Sequence, residues 1–123
     1  MEIQQDKQAI ESRRGPAETF TGDVYLDVIG QEPAADTNIY RVMFNPGGRT
    51  FWHRHTKGQF LLVNAGEGRV QVRGGEVKTI KAGDVVHAAP NEEHWHGASD
   101  STYIVHTAIS LGGTEWFEEA SGG

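Results

Sequence analysis

Apolar residues come in short bursts along this 123-residue chain, and turn residues cut between them. The segment DVYLDVI from Asp23 alternates apolar and polar side chains, the period of two that lays one face of a strand on a core. QEPAADTN from Gln31 to Asn38 reads as a loop. IYRVMF from Ile39 to Phe44 reads as a strand stopped by NPGG. TFWHRH from Thr50, QFLLVNAG from Gln59 and RVQVR from Arg69 follow as three further strands. Gly74 and Gly75 form a two-residue turn signal that predicts a hairpin between RVQVR and EVKTI. GDVVHAAP begins at Gly83, and STYIVHTAIS from Ser101 is the last long strand. TEWFEEA from Thr114 fits a strand or one helical turn. No segment sustains a 3.6-residue period, and there are no heptads or long repeats. Many short strands with Gly and Pro turns predict an all-β sandwich or small barrel. Residues 1–16 read as an arm or edge strand, and residues 17–120 as a single domain.

Composition narrows the function more than the fold. Net charge is −6 with scattered basic residues, which disfavours nucleic acid. The longest apolar runs fall far short of the roughly 20 residues of a membrane span. The N-terminus has no apolar core of a secretory signal, so the expected location is the cytoplasm. The glycines of GEGRVQVRGG sit at strand ends, so they do not form a phosphate loop. There is no cysteine, so any metal must be held by nitrogen and oxygen.

The histidines carry the chemistry. His53 and His55 stand two apart in a strand and so project to the same face. Phe51 shares that parity and marks the face as interior. A buried imidazole pair without a partner is costly. His94 and His96 repeat the spacing after a Pro-containing turn. The bland alternative for either pair is packed or surface histidines. His87 lies at opposite parity to Val86 and is expected to have no ligand role. Trp52 and Trp95 flank the pairs and point away, into packing between sheets or an oligomer interface.

The spacing Gly47-x5-His53-x-His55-x3-Gln59-x6-Gly66 resembles the first motif of the cupin superfamily, and GDVVHAAPNEEHWHGA from Gly83 resembles the second. This resemblance implies a double-stranded β-helix, a jelly-roll-like barrel with one divalent metal inside it. Carried over residue by residue, the ligands are His53, His55, the residue at position 59, and His94. Two departures stand out: Gln59 replaces the usual Glu, and Asn91 stands where glycine is usual, at a turn where Asn tolerates left-handed backbone. A neutral donor at position 59 leaves the ion's charge uncancelled, which strengthens it as a Lewis acid toward anionic ligands.

WHRHTKGQ, GDVV, EEHWHGA, the histidine ten residues beyond, GPAETFTG near the start and the terminal TEWFEE together resemble the bacterial cupin-type hydroxynitrile lyases. That resemblance implies manganese(II); the imidazole ligands by themselves leave Fe(II), Zn(II) and Ni(II) open. It implies His106 as the base that takes a proton from a cyanohydrin such as mandelonitrile. His96 is expected to face inward as a proton carrier or orienting group. Tyr40, Val42 and Phe44 share one face of their strand and are expected to line an apolar pocket. Lys57 departs from the resemblance near the expected pocket rim. Two other classes stay open: an iron or manganese dioxygenase, and a ligand-binding cupin without turnover. The expected partners are a small-molecule substrate and further copies of the chain, as a dimer or tetramer.

Overall fold

The computed structural model describes residues 1–3 and 12–121. In chain order its strands are β1 (Arg13–Arg14), β2 (Phe20–Thr21), β3 (Val24–Glu32), β4 (Thr37–Phe44), β5 (Arg49–Thr50) and β6 (His53–His55). They continue as β7 (Gln59–Val72), β8 (Lys78–Lys81), β9 (Val85–Ala88), β10 (His94–Ala98), β11 (Ile104–Leu111) and β12 (Thr114–Trp116). Among the described residues the only helix is a 3₁₀ turn at Pro33–Ala35. The all-β expectation holds, as a curled double-layered sheet of the jelly-roll kind.

One layer runs β1-β3-β4-β11-β7, with β9 on the far side of β7. The other is built on β10, which pairs β5, β6 and β7, with β2, β8 and β12 at its margins. β7 belongs to both layers. Its first half pairs β9 and β11, and its second half pairs β8 and β10. QFLLVNAG and RVQVR, expected as two strands, are therefore one bent strand. The bend is at Gly66, whose φ is +79° and where a Cβ would collide with the Tyr103 carbonyl. A register shift in β11 between Val105 and His106 lies opposite.

Two other expectations are adjusted. The strand over TFWHRH is interrupted at Phe51 and Trp52, which separate β5 from β6. The break lets β5 pair β2 while β6 pairs β12. The loop expected over positions 31–38 is shorter, because Glu32 and Thr37 already pair across a hairpin. Asp36 closes that turn at a φ of 48°. The hairpin at Gly74 forms, although its strands first pair at Val70 and Lys78. Of TEWFEEA, only Thr114–Trp116 forms a strand, β12. Within the segment expected as an arm or edge strand, residues 13 and 14 pair with β3, while residues 4–11 lie outside the described residues.

The inner faces meet in a core of Val24, Val42, Phe44, Val63, Ile80, Ala98 and Ile104. β11 alternates buried and half-buried along its whole length, which puts Ile104, His106, Ala108 and Ser110 inside. Trp52 and Trp95 pack away from the cavity in a second cluster with Ala120. Arg73 lies 4.1 Å over the Trp52 ring and Arg49 4.3 Å over Trp95. Arg73 also pairs with Glu118 at 2.8 Å, and together with Ala120 and Phe117 in the tryptophan cluster this holds the C-terminal segment in place.

Candidate metal centre

Strand pairing assembles the site from four distant segments. His94 on β10 lies directly across from His53 on β6. Gln59, the first residue of β7, lies across from Ser110 on β11. The short Thr56–Gly58 turn, with Gly58 at a φ of +93°, carries the chain from β6 in one layer to the start of β7 in the other. The His53 ring is centred 5.0 Å from His55, 4.4 Å from His94 and 5.2 Å from His96. All are buried, as is Gln59. One nitrogen from each of His53, His94 and His96 falls within 4.8 Å of the others.

Three of these imidazoles are anchored on the same side. His53 Nδ1 is 2.9 Å from the Phe51 carbonyl, and His94 Nδ1 is 2.8 Å from the Glu92 carbonyl. His55 Nδ1 is 3.0 Å from the Thr114 hydroxyl. A carbonyl only accepts, so Nδ1 carries the proton in His53 and His94, and Nε2 keeps a bare lone pair. His55 Nε2 is buried with no partner. Gln59 is oriented likewise. Its Nε2 donates to Ser110 Oγ at 3.1 Å, and its Oε1 lies 3.0 Å from His94 Nε2. No hydrogen is available between those two atoms. Two lone-pair donors facing each other in a buried space are unfavourable alone, and their spacing suits adjacent positions on one cation. The nitrogens close enough to share one ion are those of His53, His94 and His96. His55 and Gln59 stand beside them as further neutral donors.

His96 and His106 are held differently. His106 Nε2 lies 3.1 Å from His96 Nδ1, and each ring leaves one further nitrogen buried without a partner. The Phe44 ring stands against both, 5.9 Å from His96 and 5.2 Å from His106. His96 is on the cavity wall, whereas His106, fully buried, sits behind it.

Burial sets the protonation. It pushes His55 and His106 down to about 4, and the neighbouring His94 adds to the effect at His55. His53 and His96 are driven well below the ordinary range, first by burial and then by His94 and His106 respectively. Burial also lowers His94. All five rings are neutral at pH 7, the form that ligates metals and accepts protons.

The cavity in front of the cage is about 410 Å³. Tyr40, Val42 and Phe44 line it, as do Ala108, Phe20 and Trp116. Sequence reasoning missed Ser110, Thr114 and Trp116. Ser110 shares the parity of His106 and was within reach of the same argument. Thr114 and Trp116 lie in the TEWFEE segment of the resemblance, but only the pairing of β12 with β6 brings them to the site. Trp116 covers the His53 ring at 4.6 Å. Lys57 faces outward and pairs with Asp36 at 2.8 Å. His87 is exposed and stacks on Phe60, away from the site. Asn91 adopts the left-handed conformation, at a φ of 64°.

Comparison with known proteins agrees with this geometry. Residues 40–108 match the family described as Cupin domain. An (R)-mandelonitrile lyase of Granulicella tundricola is 45% identical over 115 residues, covering 89% of this chain and 88% of that protein. The crystal structure of a cupin-like protein from Thermotoga maritima superposes with a TM-score of 0.86 at 37% identity, covering 94% of this chain and 92% of the other. The nested strands, the two paired-histidine segments and these matches together make the chain a member of the cupin family.

Proposed function

We propose that this cupin is a metal-dependent hydroxynitrile lyase that cleaves and forms cyanohydrins of aldehydes such as mandelonitrile. The observation that carries the reading is a wholly neutral donor set, with Gln59 in place of a carboxylate, beside a neutral imidazole pair. The 45% identity to a mandelonitrile lyase supports it. The ion we assign is manganese(II), on the resemblance to those lyases.

A bound divalent ion would polarise the cyanohydrin hydroxyl and lower its pKa. The chain supplies the rest. His53, His55, His94 and Gln59 offer donors held in place by Phe51, Thr114, Glu92 and Ser110. Val42, Phe44 and Tyr40 take the carbon skeleton and exclude water. The His96–His106 pair accepts the hydroxyl proton, His96 from the cavity wall and His106 as its partner in the proton network. As the proton leaves, the oxygen's electrons form the carbonyl. The C–C bond breaks and its electron pair departs with cyanide. No change of oxidation state is involved.

The test is elemental analysis of protein purified without added metal, followed by cyanide release from mandelonitrile with and without oxygen. The expected result is metal-dependent, oxygen-independent release without oxygen uptake. Oxygen consumption coupled to turnover would replace the lyase by a dioxygenase. Metal binding without either chemistry would leave a ligand-binding cupin.

A further inference from the structure

The cavity is positive inside an acidic protein. Its wall includes Arg13 and Arg14 and, among the described residues, no aspartate or glutamate. Yet the chain carries 17 acidic residues against 11 basic ones. The donor cage adds no negative charge either. An ion held there would leave the whole cavity uncompensated.

The two arginines are not equivalent. In the β1–β3 pair, Arg13 lies opposite Leu26 and Arg14 opposite Tyr25. Directly opposed residues share a face of the sheet. Leu26 is on the cavity wall, and it lies opposite Val42, another wall residue. Arg13 therefore points to the cavity side. Arg14 points to the other face, where its Nη2 lies 3.1 Å from Asp23 and its Nη1 donates to the Tyr25 hydroxyl at 3.2 Å. No such partner engages Arg13 among the described residues. Arg13 is exposed and so stands at the mouth. Between mouth and cage the wall is apolar, with Phe20 and Trp116 centred 6.0 Å apart.

We propose that Arg13 makes the mouth an anion site, so that the preferred substrate is an aldehyde or cyanohydrin with an apolar or aromatic middle and a carboxylate at its far end. The inference deepens the lyase reading and rests on it for the reacting end of the ligand. An inward charge on an edge strand can also serve only to block strand pairing between molecules. The following experiment separates the two.

The probes are 4-formylbenzoate and its methyl ester, titrated onto the metal-loaded full chain without cyanide. The parent should bind the acid about five- to tenfold tighter than the ester, the scale of a charge-assisted bond in a partly open site. Arg13→Gln should erase that preference and Arg13→Lys should keep part of it. Salt at about 0.5 M should shrink it. A parent with no preference, or a preference that survives Arg13→Gln, overturns the proposal; the latter would mean that the carboxylate goes to the metal instead. Cyanide release from mandelonitrile, measured on the same preparation, keeps the two readings apart. Its absence with the acid preference intact removes the lyase and leaves the anion site. Its presence without the preference does the reverse.

Discussion

The anchored histidines and the coupled histidines share one cavity and differ in what holds them. His53 and His94 each rest a protonated Nδ1 on a backbone carbonyl and present Nε2, and His55 rests Nδ1 against the Thr114 hydroxyl. His96 and His106 rest on each other. A ring whose proton is fixed on one side is a good ligand, because its lone pair has a permanent direction. A ring whose proton lies between two imidazole nitrogens is a poor anchor and a useful acceptor. His94 and His96, two residues apart on one face of β10, fall on opposite sides of this division. The difference comes from their neighbours, not from their spacing.

The largest break of the comparison is on the anchored side. His53→Ala with His55→Ala should remove both the bound metal and all cyanide release. Metal titration of the folded variant checks this, and an unchanged stoichiometry would sink the ligand assignment. On the coupled side, His106→Ala should keep its metal and lose about 10²–10⁴-fold in turnover, the usual cost of losing a general base. Full activity in metal-loaded His106→Ala would leave His96 to act alone.

The neutrality of both groups has a consequence for pH. His55 and His106 are held at about 4 in the fold, against about 6.5 when unfolded. As pH falls through 6.5 the unfolded chain takes up protons that the fold refuses. Stability is therefore full above 6.5, declines toward pH 4, and levels off below it. At pH 5 each such group should cost on the order of 2 kcal/mol. Urea unfolding of chelator-treated protein at pH 8 and pH 5 measures it. Equal stability at the two values would contradict the buried, neutral state.

How much of this was legible in the sequence follows the range of each interaction. The period of two was enough to pair His53 with His55, to face His94 and His96 inward, and to place His106 with Ile104 and Ala108. The anchors were not legible, because Thr114 is 59 residues from His55 and Ser110 is 51 from Gln59. Only the topology unites them. Gly66 misled in the other direction: it reads as the end of a strand, but here it bends one strand from one layer into the other. Phe51 misled too. It lies between β5 and β6, outside the strand whose parity it shares in the sequence, and what it contributes is a carbonyl to His53.

The anchors offer a finer test. Thr114→Val keeps the shape and deletes the oxygen that holds His55. It should weaken metal binding about 10- to 100-fold, with Thr114→Ser restoring it. Equal affinity in the valine variant would make Thr114 a packing residue only. The smallest change sharpens the electrostatic half of the account. Gln59→Glu should keep or tighten metal retention while lowering cyanide release per bound ion severalfold, since the added charge offsets the ion's field. A higher rate per ion would contradict that argument.

Metal content tests the division of labour most directly, because His96 also brings a nitrogen within 4.8 Å of those of His53 and His94. Elemental analysis of His96→Gln with His106→Gln, set beside His53→Ala with His55→Ala, decides between the two groups. The division described here predicts parental metal content in the first variant and none in the second. Loss of metal from the first would place His96 among the ligands and contradict the separation of cage from base.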